Sequence, residues 1–447
     1  MTTIATAITA REALTRRLVD GRKNTDSLFE TVRKDALYER PIPERHRVIF
    51  YLGHLEAFDW NLFGIDSSAP KSFAPELDKL FAFGIDPVGD CLPKDAPEEW
   101  PLISTVVEYI RKSRRELDAW IGRIGFAGDE GRRNPSTETL LHVAIEHRLM
   151  HAETLAYMFH QLPYDRKISQ SQNNLVASSL MGEMVEIPSG SATLGLQRAE
   201  ITSFGWDNEF EATEIEVPAF QIDKYMVTNE QFLAFLKADG YGDSSLWSAE
   251  DWQWKEGQNI QSPAFWRRDG EQWLYRGMFE EIALPLEWPV YVSHAEASAY
   301  ARWVGKSLPT EEQWHRAAYG TPEGPERNLP WGPELPSRRL GNFDSYRWDA
   351  VPVNAFPENR SAWGVVGQVG NGWEWTASDF RPLDGFEPFA FYPGYSTSFF
   401  DGDHYVLKGG SARTAAPLLR RSFRNWFQSH YQYVYAGFRC VSPRRGR

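Results

Sequence analysis

One change of period restricts the fold of this chain more than any other feature. Up to about residue 165 the apolar residues recur at helical spacing. Leu14, Leu18 and Leu28 stand among charges in 10–31. After the Ile42-Pro43 break the pattern resumes over 45–63, a short piece follows at 70–83, and two long stretches at 102–121 and 137–159 complete the series. The segment 163–174, PYDRKISQSQNN, is polar and aperiodic. From Met184 onward, short apolar runs such as MVEIPSG and HYVLKGGSAR alternate with loops rich in Gly, Pro and Trp, and only 229–236, 294–304 and 311–318 read as helix. At 447 residues the chain is long enough for two or three domains. The expected fold is α+β multidomain: a four-helix bundle over 1–165, a linker at 166–180, and a loop-rich mixed domain over 181–447.

Within the bundle, the helix at 140–159, LLHVAIEHRLMHAETLAYMF, carries His147 and His151. Four residues apart, they lie one turn above the other on one face, so both imidazoles can reach one point. A pair of surface histidines gives the same spacing. Bundles, however, build metal sites from side chains projecting inward on facing helices, and the aromatic-rich helix YLGHLEAFDWNLF offers His54 as a third ligand. Glu153, two residues past His151, points away from the shared face, which suits a supporting or helix-packing role, with a carboxylate ligand as the alternative. The two cysteines, Cys91 and Cys440, are too few for a disulfide framework or a thiolate cluster, so nitrogen and oxygen would have to hold any metal.

A net charge of −13 argues against nucleic-acid or anionic-membrane partners. No run approaches the ~18 apolar residues of a membrane span, and the N-terminus has no signal-type apolar core. The expectation is a soluble, cytoplasmic protein. The chain's 18 Trp, 18 Tyr and 27 Phe crowd its C-terminal half, which suits an aromatic-lined pocket for a small molecule.

The motifs VEIPSGSATLG, FQIDKYMVTNEQF, PVYVSHAEASAYARWVG, KSLPTEEQWHRAA, VGNGWEWTAS, VLKGGSAR and AGFRCV resemble the formylglycine-generating-enzyme, or sulfatase-modifying-factor, fold. The N-terminal half, with HxxxHxE from His147 to Glu153 and the upstream His54, resembles the DinB-like metal-binding bundle. Fused in this order, the two halves resemble the ergothioneine-type sulfoxide synthases and their relative, selenoneine synthase. That resemblance implies a non-haem Fe(II) enzyme that uses O2 to join a sulfur or selenium donor to the imidazole carbon of hercynine. It also implies that His54, His147 and His151 are the iron ligands, a set that leaves positions open for substrates.

In SFRNWFQSH, Asn425 matches the asparagine that meets the hercynine carboxylate, and Trp426 its aromatic neighbour. An aromatic face suits a quaternary ammonium group, while a Trp in so aromatic a domain can equally be core. Arg111 and Arg114 resemble arginines that meet the carboxylates of a thiol substrate, and a solvated helix face is the other reading. Several positions depart from the sulfur-using pattern. Phe427 replaces the acid that meets the ammonium of gamma-glutamylcysteine, and Met150 replaces a glutamine that helps bind the betaine. Gly84 and Ile85 stand where cysteine-using relatives carry a Tyr-Tyr pair, which leaves Tyr392 and Tyr395 as candidate catalytic hydroxyl donors. These departures favour a selenosugar donor, with cysteine or gamma-glutamylcysteine as the alternative.

Three rival readings exist. A formylglycine-generating oxidase needs a pair of active-site cysteines, and Cys91 and Cys440 fall in different expected domains. A DinB-type thiol transferase would not need the second domain. A non-enzymatic binding module would use the histidines structurally.

Overall fold

The computed structural model describes residues 2–82, 94–124, 135–170, 175, 182–200 and 204–443. The chain divides into two compact units, Met1–Gln170 and Ser171–Arg447.

The first unit is helical: α1 (Thr2–Phe29), α2 (Val48–Phe63), α3 (Pro75–Leu80), α4 (Ile103–Arg123) and α5 (Thr137–Gln161). Ser136 caps α5, its hydroxyl accepting from Thr139 N. α1 packs on α5, and α2 packs on α3, α4 and α5. The two helices that carry the histidines are apolar or buried almost all round, as central helices must be, whereas α4 buries one face.

Charge also joins the four long helices. Arg148 of α5, 1% exposed, meets Glu56 (3.1 Å) and Asp59 (2.7 Å) of α2. Arg114 of α4 reaches Glu56 (2.7 Å) and Asp26 of α1 (2.7 Å). A buried guanidinium is tolerable only when paired in this way. Among the described residues no helix is long and apolar enough to cross a membrane.

Among its described residues the second unit holds four α-helices, α6 (Asn229–Lys237), α7 (Ala249–Gly257), α8 (His294–Trp303) and α9 (Glu311–Tyr319), among short strands. The expectation of three helices misses α7. Its sequence, AEDWQWKEG, has no apolar stripe, and its one local signal is the Ser248 cap. β1 (Met184–Ile187) and β12 (Val441–Pro443) flank β4 (Phe220–Asp223), while β2 (Gly190–Leu194) pairs β3 (Thr213–Val217). β5 (Trp266–Asp269), β6 (Gln272–Arg276) and β7 (Glu281–Ala283) form a meander. The fourth sheet has the order β10-β9-β8-β11, with β8 (Gly372–Asp379), β9 (His404–Gly410), β10 (Asn425–Gln428) and β11 (Ala436–Gly437).

Buried indole and guanidinium groups find carboxylate partners here too. Glu374 accepts from Trp314 Nε1 (2.7 Å) and from Arg439 (2.6 and 2.7 Å). The Gly-Gly-Ser turn that ends β9 depends on Gly409. Its φ is +98°, and a Cβ there would lie 2.4 Å from the Gln368 carbonyl oxygen.

Candidate functional site

α2 presents His54 and α5 presents His147 and His151, each 5% exposed. One ring nitrogen from each lies within 4.8 Å of the others. The Nε2 atoms of His147 and His151 are 3.0 Å apart, a spacing that two nitrogens sharing one ion can adopt. His54 Nδ1 is 2.7 Å from the Phe81 carbonyl oxygen, which only accepts, so Nδ1 carries the proton. The lone pair of His54 is therefore on Nε2, a buried atom with no hydrogen-bond partner among the described residues. Phe58 stacks on His147 (3.4 Å between centroids, 9°) and Phe50 on His54 (5.0 Å, 23°). Among the described residues no other trio of His, Cys, Asp and Glu side chains converges in this way.

Burial pushes the His54 imidazole down to about 4, against the Phe81 hydrogen bond that raises it. Burial, and then the neighbouring imidazoles, hold His147 and His151 well below the usual histidine range. All three are therefore neutral near pH 7, which is the form that binds a metal ion.

Sequence reasoning missed two supports of this trio. Phe81 orients His54 through its carbonyl, and Gly53 makes room for the Phe81 ring: a Cβ on Gly53 would lie 2.5 Å from it. The only local signal was the glycine beside His54. Gly53→Ala is expected to displace Phe81 and lower the affinity of the trio for a divalent metal ion about tenfold, as loss of a ligand's orienting partner does. Competition with a chelator measures this, and unchanged affinity would mean that Phe81 does not orient His54.

The other bundle positions are placed as follows. Glu153 is buried and lies outside the trio, and Met150 is half-buried on α5. Arg111 is exposed and pairs with Glu108 at 2.6 Å. Arg114 is engaged by Asp26 and Glu56, so the two arginines expected to act together on a substrate carboxylate have separate internal partners. Gly84 and Ile85 lie outside the described residues.

In the second unit, β10 carries Asn425, Trp426 and Phe427, which pair in register with Leu407, Val406 and Tyr405 of β9. All three are half-buried. Asn425 Oδ1 accepts from Trp426 N at 2.9 Å, which leaves the Nδ2 hydrogens to face an acceptor. Trp426 lies parallel to Phe380 (4.2 Å, 8°), with Tyr395 and Phe399 each 5.5 Å away. Tyr395 is itself buried against Trp206 (3.9 Å, 20°), and the half-buried Tyr392 is 5.7 Å from it. Phe427 stacks on Tyr431 (5.0 Å, 12°). Phe380, Phe399 and Trp206 are parts of this aromatic cup that the sequence did not single out, because their convergence is wholly tertiary.

The DinB superfamily profile matches residues 17–155, and that of the sulfatase-modifying factor enzyme 1-like domain matches residues 171–444. A hercynine oxygenase of Mycolicibacterium thermoresistibile is 31% identical over 97% of this chain and 96% of its own length. One from Mycobacterium tuberculosis is 40% identical over 53% of this chain and 55% of its own. Ergothioneine biosynthesis protein 1 of Neurospora crassa is 28% identical over 91% of this chain and 55% of its own. The chain thus spans nearly all of the first of these relatives and about half the length of the other two.

Proposed function

The chain belongs to the ergothioneine-type sulfoxide synthase family, and from that premise we propose that it is a non-haem Fe(II), O2-dependent enzyme acting on hercynine. It would join a chalcogen donor to the imidazole carbon of that betaine. The observation that carries the reading is the convergence of three buried, neutral imidazoles, with His54 Nε2 left without a partner among the described residues. The donor set fits a divalent first-row ion that keeps positions open. When bound, iron supplies dioxygen activation and a site for a soft sulfur or selenium atom. The residues present do the rest. His54, His147 and His151 hold the ion; the Phe81 carbonyl and the stacked rings of Phe50 and Phe58 restrain the imidazoles.

On β10, the Asn425 amide offers N–H donors to the hercynine carboxylate. The cup of Trp426, Tyr395 and Phe399 offers ring faces to its trimethylammonium group. Tyr392 and Tyr395 are the candidate hydroxyl donors.

Two observations favour a donor without amino-acid charges. Phe427 is a ring in an aromatic stack, where an acid would be needed to meet an ammonium group, and Arg114 is already neutralised by Asp26 and Glu56. We therefore favour a selenosugar, whose hydroxyls and ring face suit neutral and aromatic contacts. The names of the relatives favour the second reading, a sulfur donor such as cysteine or gamma-glutamylcysteine.

Iron-loaded protein incubated with hercynine, O2 and either selenoglucose, cysteine or gamma-glutamylcysteine, with mass detection of products, separates the readings. Product from selenoglucose is expected. Exclusive turnover of gamma-glutamylcysteine would sink the selenosugar reading, and no product or oxygen uptake with any donor would sink the enzymatic one. Asn425→Ala is expected to raise the hercynine KM about tenfold, the effect of losing a hydrogen bond to a charged group. An unchanged KM would remove Asn425 from the site.

A further inference from the structure

Among the described residues, the strand that carries Asn425 and Trp426 is an edge strand of four residues with one hydrogen-bonded neighbour, β9. So short an edge is weakly held by its ladder alone. Its two ends therefore decide how firmly its side chains are placed. Before β10, the Arg424 guanidinium is buried on the Glu311 carboxylate (3.0 Å). After it, a second device uses groups that no part of the proposed chemistry assigns.

Asp251 stands in the first turn of α7. Ser248 caps that turn, its hydroxyl accepting from Asp251 N (3.1 Å) and donating to Asp251 Oδ2 (2.7 Å). The other carboxylate oxygen, Oδ1, accepts from His430 Nε2 (2.9 Å) and lies 3.4 Å from Ser429 Oγ. His294 Nδ1 approaches the same serine hydroxyl at 3.3 Å. The rings of this cluster are clamped from outside. Trp254, also on α7, lies parallel to His430 (4.5 Å, 1°), and Tyr405, the register partner of Phe427, lies parallel to His294 (3.7 Å, 18°). The segment's backbone is tied as well, since Ala295 N donates to Ser429 O at 3.2 Å.

Burial raises the Asp251 carboxyl, but the hydrogen bonds from His430 and Ser248 outweigh it and hold the group below the usual carboxylate range. It stays an anion at a helix N-terminus, where the dipole favours one.

We infer that Asp251 is a positioning residue for the betaine substrate: through Ser429 and His430 it fixes the end of β10 and so the placement of Asn425 and Trp426. The inference rests on the hercynine reading of β10, and it takes Asp251 to touch no substrate itself. One carboxylate is shared between a helix cap and the segment that follows the binding strand, so the strand inherits the rigidity of α7.

Three variants of the full-length, iron-loaded enzyme test it. Asp251→Ala removes the shared acceptor. His430→Phe keeps the ring on Trp254 and removes the donor, and His430→Gln keeps an N–H donor. In ligand-free protein, amide exchange of the peptide spanning 424–430 is expected to quicken about tenfold in the first two and to return towards the unmodified rate in the third. The hercynine KM should rise about tenfold in the same two variants, with kcat, donor KM and iron content within about twofold. Unchanged exchange in both Asp251→Ala and His430→Phe would overturn the inference, as would equal losses in kcat and donor KM, which mark general loosening. Quickened exchange with an unmoved hercynine KM would uphold the latch and fault the hercynine assignment of β10 instead.

Discussion

If His147 holds iron as proposed, replacing it with alanine is expected to leave a folded protein that no longer holds stoichiometric iron and turns over hercynine at least about a hundredfold more slowly. That figure is the upper end of the cost of losing only a ligand's outer partner, and His147 would be a ligand itself. The fold should survive for a physical reason. Among the described residues the His147 Nδ1 atom makes no hydrogen bond, and Nε2 meets another neutral imidazole at 3.0 Å. Truncation therefore loses the Phe58 stack and some packing, and it removes a buried polar ring whose desolvation was not repaid. The expected loss is about 1–2 kcal/mol, a shift of only a few degrees in Tm. Metal analysis after anaerobic reconstitution, beside a thermal melt, checks both halves. Full iron content with normal turnover would remove His147 from the ligand set and favour a structural role for the trio. Unfolding would show instead that the imidazoles hold the bundle together.

The largest stability effect should come from Glu56. This carboxylate, 1% exposed, is shared by Arg148 of α5 and Arg114 of α4. Burial would raise it, yet the attraction of Arg148, Arg114 and Arg22 brings it down from 4.5 to about 2. Glu56→Gln leaves the shape and removes the charge, so two arginines lose their common partner. The expected cost at pH 7 is about 3 kcal/mol, in the range for breaking a buried ion pair. For a helical unit of this size that corresponds to roughly 6–12 °C in Tm.

The sign with pH follows from linkage. A carboxyl whose folded value lies below its unfolded one binds fewer protons when folded. Its contribution is complete above about pH 4.5 and is lost as pH falls towards 2. Asp59, pushed up by burial and also by Glu56 itself, acts in the opposite sense, and losing the Glu56 charge eases it downward, so the gap reports Glu56 together with its effect on Asp59. The gap in melting temperature should therefore close between pH 4.5 and 2. A gap constant from pH 7 to pH 3 would contradict the ion-pair account.

The trio was legible because two of its members obey a local rule. His147 and His151 are four apart on one helix, and the 3.6-residue period alone puts them on one face. His54 required a further step, from helical periodicity to a bundle, and from a bundle to inward-facing side chains. The aromatic wealth of the second half was legible as composition, and the Asn425-Trp426 pair as a motif, but not the rings that surround them. The partners of Arg114 were not legible at all. A guanidinium between Lys112 and Arg115 on an amphipathic helix looks solvated, and only the packing of α1 and α2 beside it brings Asp26 and Glu56 within reach.

What the sequence determined by itself is whatever rests on spacing along one element: the bundle, the change of style after residue 163, and the histidine pair. What the tertiary structure decided rests on contacts between residues far apart in the chain. Phe81 meets His54 across 27 positions, and Asp251 meets His430 across 179. Periodicity fixes which face a side chain occupies. It carries no information about which distant segment closes over that face, because that choice depends on how whole elements pack to cover their apolar surfaces and to pair their buried charges.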